Sequence, residues 1–391
     1  MTEFEHSLDQ DTLTIFLSGR VTADNASEVE ASVNEIISQN SHSSLVFNLA
    51  KLDYISSAGL RIILRIKKAE PTLKLVDVSL DVYEVFEMTG FTEMIDIEKA
   101  YQTMSVEGCE LIGQGSNGKV YRLNGDTIIK VYMNKDALPD IQRERQLART
   151  AFVLGIPTAI PYNVVKVGDT YGSVFELLNA TSYVKLILND RTNIDKYIEL
   201  SIDLLKKIHG TVVKPEDMPD LKEVALGWVD YLKDYLPQDK HEKLTTLFNS
   251  VPDSMHMIHG DFHMKNIMMQ NNETLLIDMD TLSHGHPIFE FAAMYNAYEG
   301  FALFKRDECQ RFMGLDYDTC AYIWNKSLEL YFGTTDKDKL NDIEKKAKLI
   351  GYTRIMRRTI KREGFDKAGE VIEKYKNLII ELLDEVDTLN F

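Results

Sequence analysis

Apolar and polar positions follow two successive patterns along the chain. In the first hundred residues "TLTIFLSG" alternates polar and apolar positions and predicts a half-buried strand, whereas "NASEVEASVNEIISQN" repeats at the helical period. "SLVFNLAKLDYI" reads as a buried strand, "SAGLRIILRIKKAE" as a helix, "LKLVDV" as a strand and "DVYEVFEMTGF" as an amphipathic helix. This succession predicts a small α/β domain with a mixed sheet over residues 1–103. A linker is expected through "EKAYQTMSVEG", ending near residue 108.

From residue 109 the pattern changes. "ELIGQGSNGKVYRLNGDTIIKVY" places strand-like runs around a glycine-rich turn and a second hairpin turn at Asn124-Gly125. "LPDIQRERQLARTAFVLG" is helical, "YGSVFELLN" is one more strand, and the remainder is mostly helical. Residues 109–391 are thus expected to form a two-lobed α+β domain, with a small sheet-rich lobe over about 109–178 and a larger helical lobe over about 179–391.

Composition narrows the partners. The formal charge of -17 over 391 residues makes nucleic acid and anionic membrane surfaces poor partners for the whole molecule, so any bound anion must be captured locally. Residues 1–100 carry 8 Lys and Arg against 17 Asp and Glu, about half of that charge. Cys109, Cys309 and Cys320 lack close metal-ligand spacing and read as buried small hydrophobes in a reducing compartment. The opening "MTEFEHSLDQD" does not resemble an export signal, and no apolar run approaches the roughly 20 residues of a membrane span. A cytoplasmic location is expected.

The densest chemistry lies in "MIHGDFHMKNIMM", with the spacing His259-x-Asp261-x-x-x-x-Asn266, followed twelve residues on by Asp278 in "LLIDMD". Between them the chain reads as a hairpin turning at Asn271-Asn272. Folded about position 272, it places Asn266 opposite Asp278, an amide oxygen and a carboxylate suited to a hard cation such as Mg²⁺. Asp261 then faces the same metals and can orient a hydroxyl and accept its proton. Upstream, Gly113, Gly115 and Gly118, with Ser116 among them, form a turn whose backbone amides can approach phosphate oxygens. Lys130 on the apolar strand "TIIKVY" would hold an ammonium beneath those phosphates, with Glu144 on the next helix placed to pair with it. No GxxxxGK[ST] loop is present, and the glycine turn leads into a strand rather than a dinucleotide-binding helix. His259 and His263 read as core histidines bracing backbone or as catalytic groups, and neither is assigned as an acid or base.

Glycine loop, Lys, Glu, "HGDFHMKN" and "IDMD" in this order resemble the protein-kinase-like phosphotransferases, in their aminoglycoside and choline kinase branch. The resemblance implies a two-lobed fold with ATP in the cleft. By it, Lys130 contacts the α- and β-phosphates, Glu144 positions Lys130, Asp261 is the catalytic carboxylate, and Asn266 and Asp278 hold Mg²⁺. "FELLN", Phe175 to Asn179, would be the adenine hinge, with Glu176 and Leu178 as its contacts. Glu290 stands where many relatives place an Asp that braces the catalytic loop. The acceptor would be a small-molecule hydroxyl, its specificity lying in the helices after Asn179 and around Phe291 to Tyr322. There "FAAMYNAYEGFALF" reads as core packing or as a surface for a ring or quaternary ammonium.

"LDYISSAGLRIIL" makes the first hundred residues resemble the STAS domains of anti-sigma-factor antagonists. The matching residue for phosphorylation or partner contact is Ser57, preceded by Ser56 where relatives carry an acidic residue. Ser56-Ser57 is equally a helix N-cap. A protein partner through this domain is implied. Near the end, "RIMRRTIKR" aligns Arg354, Arg357, Arg358, Lys361 and Arg362 at helical spacing. This basic stripe is a solvated helix face, a dock for the acidic amino-terminal domain, or a guide for an anionic substrate. The sequence reads as an ATP- and Mg²⁺-dependent phosphotransferase with a regulatory or docking module. The alternatives are a nucleotide-binding regulatory protein with little catalysis, or a protein kinase acting on serines of the Ser57 type.

Overall fold

Alternate burial of Leu13, Ile15 and Leu17 along one strand, and of Leu45, Phe47 and Leu49 along the next, sets one face of the amino-terminal sheet against its helices. The computed structural model describes residues 4–115 and 118–391. It divides into two units, Met1–Met104 and Ser105–Phe391. In the first, β1 (Phe4–Asp9), β2 (Thr12–Val21), β3 (Ser44–Ile55), β4 (Lys74–Val78) and β5 (Asp96–Lys99) form one sheet in the order β1-β2-β3-β4-β5. Only the β1–β2 pair is antiparallel, so the sheet is mixed, as its pattern predicts. Helices α1 (Ala26–Gln39), α2 (Ser57–Ala69) and α3 (Leu80–Met88) connect the parallel strands. Phe47, Leu75 and Phe86 are fully buried in this core, each contributing about 2–3 kcal/mol of apolar transfer. Two strands were not legible. β1 is exposed or half-exposed along its length, and β5 is a short edge strand that runs into the start of the expected linker, so neither shows a buried face.

At the start of α2 the two serines have separate places. The Ser56 hydroxyl accepts from the Gly59 amide at 3.4 Å and caps the helix, while Ser57 is its exposed first residue.

The second unit opens with a five-stranded antiparallel sheet of β6 (Glu110–Gln114), β7 (Gly118–Arg122), β8 (Thr127–Tyr132), β9 (Pro161–Val167) and β10 (Thr170–Glu176), in the order β6-β7-β8-β10-β9. The edge strand β9 escaped the sequence reading, because it begins at a proline and carries Asn163 and Lys166 among its apolar residues. Helix α4 (Leu138–Val153) lays Ile141, Glu144, Leu147, Ala148 and Ala151 against this lobe. The chain then enters β11 (Thr181–Ser182), α5 (Tyr183–Asn189), α6 (Ile194–His209), α7 (Leu221–Tyr231) and α8 (Gln238–Asn249). Short strands β12 (Met257–Ile258), β13 (Ile267–Gln270), β14 (Glu273–Leu276) and β15 (Ser283–His284) carry the motif residues. Last come α9 (Ile288–Tyr298), α10 (Asp307–Phe312), α11 (Tyr317–Phe332) and α12 (Lys337–Glu385), the last interrupted at Gly364, where φ is 69°.

Every residue of α9 is buried, so "FAAMYNAYEGFALF" is core through this helix. Cys309 and Cys320 are buried and Cys109 is half-buried. Among the described residues no helix is long and apolar enough to cross a membrane.

Candidate active site

Strand alternation puts Lys130 and Tyr132 on one face of β8, turned toward α4. The Lys130 ammonium lies 2.8 Å from Glu144 Oε1, and the Tyr132 hydroxyl donates to Glu144 Oε2 at 2.5 Å. Both carboxylate oxygens are held, and Glu144 is only 6% exposed. Burial opposes the charge on Lys130, but Glu144 and Asp278 outweigh it and raise its pKa. Tyr132 was not anticipated, although its place two residues after Lys130 in a strand was the available signal.

A cavity of about 450 Å³ separates this sheet from the β13–β14 hairpin. Gly113, Gly115, Gly118, Lys130, Glu144, Glu176, Leu178, Asn266 and Asp278 all line it, with Val120, Ile128, Met268 and Ile277 as apolar walls. Ser116 lies outside the described residues. The Leu177 amide is committed to the Asp126 carbonyl at 2.8 Å, whereas the Leu178 amide has no backbone partner among the described residues. Leu178 itself lines the cavity.

The glycines differ in what they do. A Cβ on Gly113 would make ordinary contact with Val120 at 3.7 Å and one on Gly115 would meet nothing within 4 Å, so neither glycine is required by a close approach. One on Gly118 would lie 2.4 Å from the Val131 carbonyl oxygen. Gly118 therefore also serves the close approach of β7 to β8. Gly118→Ala is expected to cost roughly 1–3 kcal/mol through strained packing, read as a lowered denaturation midpoint of the second unit. An unchanged midpoint would show that the strands part without cost.

The hairpin register corrects one expectation. Asn271 and Asn272 both take positive φ, 50° and 63°, and make a two-residue turn. Its centre falls between them, pairing Ile267 with Leu276 and setting the Asn266 carbonyl against the Ile277 amide at 2.9 Å. Asn266 is opposite Ile277, and Asp278 lies one residue beyond. Asp278 turns toward the cavity through a left-handed backbone (φ 67°), with Oδ1 3.5 Å from the Lys130 ammonium. Two residues further, Asp280 lines the same cavity. Burial, then the Asp278 and Glu144 carboxylates, raise its pKa to about 7. The sequence reading passed over Asp280, although it stands inside the quoted "IDMD".

Asp261 sits in a loop whose backbone groups are held from several sides. Buried Glu290 accepts from the His259 amide at 2.6 Å and the Gly260 amide at 3.0 Å. Thr281 Oγ1 donates to the His259 carbonyl at 2.7 Å, Arg354 to the Gly260 carbonyl at 3.1 Å, and the Met264 amide donates to the Tyr298 hydroxyl at 3.1 Å. Gly260 has φ 80° with the Thr281 carbonyl 2.9 Å from where a Cβ would stand, so only glycine suits it. Glu290 therefore performs the brace expected of a shorter Asp. His259 and His263 are buried, at 0% and 2% exposure. The Asp261 amide donates to His259 Nδ1 at 3.3 Å, and His263 Nε2 lies 3.5 Å from Asp261 Oδ2. Burial works to raise the Asp261 pKa, but His263, His259 and Arg354 prevail and hold it well below the ordinary carboxylate value. Asp261 stays ionised.

The Asn266 side-chain amide donates to the Asp261 carbonyl at 3.0 Å and to its Oδ2 at 3.3 Å. Its Oδ1 is thereby left as an acceptor. Asn266 Oδ1 and Asp278 are hard oxygen donors in one cavity, the donor type that suits Mg²⁺.

The basic stripe is not simply a solvated face. Arg354 is half-buried over Trp228, at 5.4 Å, as well as bonded to Gly260, and Arg357 lies over Tyr231 and Arg358 over Phe301. No local signal linked Arg354 to a loop 94 residues away in sequence.

Residues 108–317 match the phosphotransferase enzyme family (APH), and residues 4–104 match the STAS domain. The first unit is similar to a putative anti-sigma factor antagonist, BtrV, of Bordetella bronchiseptica, with 34% identity over 85 residues, 21% of this chain and 72% of that protein. Among solved structures, a thermostable mutant of aminoglycoside phosphotransferase APH(4)-Ia in ternary complex with ADP and hygromycin B is similar with a TM-score of 0.50 and 11% identity, over 71% of this chain and 94% of that one. Aminoglycoside phosphotransferase APH(2'')-Ib bound to ADP covers 77% of this chain and 96% of its own at 17% identity and a TM-score of 0.48. At these identities the likeness to APH(4)-Ia is one of fold. With the family match spanning more than half of its length, this chain belongs to the phosphotransferase enzyme family, as a kinase-type phosphotransferase preceded by a STAS domain.

Proposed function

We propose that the second unit binds ATP with Mg²⁺ and transfers the γ-phosphoryl group to a hydroxyl of a small molecule, and that the STAS domain regulates it or docks a protein partner. One observation carries this reading: Lys130 with its Glu144 brace, Asn266 and Asp278 line a single cavity, and Asn266 is bonded directly to Asp261.

The apolar walls Val120, Ile128, Met268 and Ile277 suit the two faces of an adenine, with the Leu178 amide and the Glu176 backbone at its edge. Gly113 and Gly115 leave room for phosphates, and Lys130 holds them in register. Asn266 and Asp278 would hold Mg²⁺, which neutralises charge on the transferring phosphates. Asp261, kept ionised, accepts the hydrogen bond of the incoming hydroxyl, aims its oxygen and takes its proton as the new P–O bond forms and the bond to ADP breaks. Catalysis then rests on positioning and charge, because a loose phosphoryl-transfer transition state asks little covalent work of the protein. Asp278 and Glu290 are only twelve positions apart, leaving little chain for a protein-binding segment, which favours a small acceptor. In the STAS domain, Ser57 is free at the helix start because Ser56 carries the cap. A phosphoryl group there would meet the favourable end of the helix dipole.

Incubation with Mg²⁺, γ-labelled ATP and a low-molecular-weight cell extract tests the reading. Label is expected on a small molecule. Label confined to the protein would move the acceptor to serines such as Ser57, and bound ATP with no transfer would favour a regulatory protein.

A further inference from the structure

Basic side chains gather around Asp261, in a protein of formal charge -17. Arg354 reaches the Gly260 carbonyl beside Asp261, and Arg358 lies one helical turn further along α12 on the same side. The Arg358 guanidinium is 5.4 Å from the centre of the Phe301 ring, Phe301 packs on Phe312 at 5.3 Å, and Phe312 packs on His263 at 5.4 Å. His263 returns the circuit to Asp261 at 3.5 Å. On the same rim, the Lys265 ammonium sits 5.5 Å over Phe312 and donates to its carbonyl.

Elsewhere basic side chains commonly meet carboxylates, as Lys130, Lys222 and Lys240 do. Among the described residues, Lys265, Arg354, Arg357 and Arg358 form no ion pair with a carboxylate within 4.0 Å. The three guanidinium groups lie over aromatic rings instead, which leaves N–H edges for a planar or tetrahedral anion, and the Lys265 ammonium lies over Phe312. Arg357 adds an unpartnered donor, since its Nε is buried and has no hydrogen-bond acceptor. Such a group carries a desolvation cost that a bound ligand would relieve. Burial, then repulsion from Arg362 and Arg354, draw the Arg358 pKa below its ordinary value, while Asp261 acts in the opposite direction and places this guanidinium within the field of that carboxylate.

We propose that the acceptor is an anionic alcohol, a small hydroxyl compound bearing a phosphate or carboxylate group, whose anion is received by Arg357 and Arg358 while its hydroxyl faces Asp261. This rests on the transfer reaction proposed above and names its substrate class. The cluster explains how an anion approaches a carboxylate and a triphosphate: it offsets their repulsion and focuses negative ligands. A polycationic acceptor would meet the opposite field.

The test splits the low-molecular-weight extract on anion- and cation-exchange resins before the labelled-ATP assay. The acceptor is expected to be held by the anion exchanger and released by salt. Arg357→Ala should raise its KM about ten-fold or more with a smaller change in kcat, ten-fold corresponding to about 1.4 kcal/mol, and Arg358→Lys should lose less than Arg358→Ala. An acceptor that passes the anion exchanger, or KM values unmoved by both alanine variants, overturns the proposal. Titration of the ADP-saturated protein with inorganic phosphate separates this inference from the transfer reaction. Saturable, salt-sensitive phosphate binding that Arg357→Ala weakens, with no labelled product, would uphold the anion site and remove the reaction. Absence of phosphate binding overturns the site even if transfer proceeds.

Discussion

Asp261→Asn is expected to lower turnover about a thousand-fold while leaving ATP affinity within a few-fold of the parent, as befits a proton-accepting group used mainly in the transition state. The geometry makes the expectation sharp. Asp261 is anchored through its own amide to His259 and through its carbonyl and Oδ2 to Asn266. An Asn side chain of the same size preserves the backbone links and removes the charge together with one acceptor oxygen. Lys130, Glu144 and the segment Phe175 to Asn179 form no hydrogen bond or ion pair with Asp261. Single-turnover rates and nucleotide titrations on one preparation would separate the two quantities. Equal turnover in the variant would exclude Asp261 from the reaction.

Removal of Glu290 should have the largest effect on stability. Glu290→Ala strips the buried His259 and Gly260 amides of their acceptor and leaves His209 without the carboxylate 3.7 Å away. Breaking a buried, charge-assisted cluster of this kind costs roughly 3–5 kcal/mol, and the loop carrying Asp261 loses its brace, so kcat should fall along with the denaturation midpoint. Glu290→Asp keeps the charge but withdraws it by one methylene, and should fall between. The pH dependence has a defined sign. Burial acts to raise the Glu290 pKa, but the His209 and His259 imidazoles and the His259 amide prevail and leave it below the ordinary 4.5. Its contribution is therefore complete above about pH 4.5 and is withdrawn as pH falls through the lower native value. Glu290→Gln should flatten that part of the acid-denaturation curve. Acid curves of the same shape for parent and Glu290→Gln would show that the carboxylate carries no linked proton there.

Much of the molecule could be read before its structure was known, and the misses have common causes. Long elements with a buried face, such as β3 and α2, announce themselves because burial repeats at the period of the element. Edge strands β1, β5 and β9 did not, because an edge strand owes its place to hydrogen bonds with a neighbour and not to its own apolar alternation. The hairpin at Asn271-Asn272 was recognised, yet its register was misjudged by half a residue, since a two-residue turn centres between its residues. That small error moved Asp278 from facing Asn266 to lying one residue past it, and the left-handed backbone at Asp278 is what turns it toward the cavity.

Short-range chemistry was also accessible. The spacing of Asp261, Asn266 and Asp278, the lysine within an apolar strand and the serine pair at the start of α2 are local patterns, and local patterns survive in one dimension. By itself the sequence determined two modules, the order of the motif residues and the kind of ligand their oxygen and nitrogen atoms suit. Only the tertiary structure decided which distant groups complete the site. Tyr132 and Lys130 close on Glu144 from another element, Glu290 and Tyr298 hold a loop some thirty residues upstream, and Arg354 joins that loop from α12. These contacts depend on packing between elements, where a side chain's partner is set by the whole core and leaves no mark in its sequence neighbours.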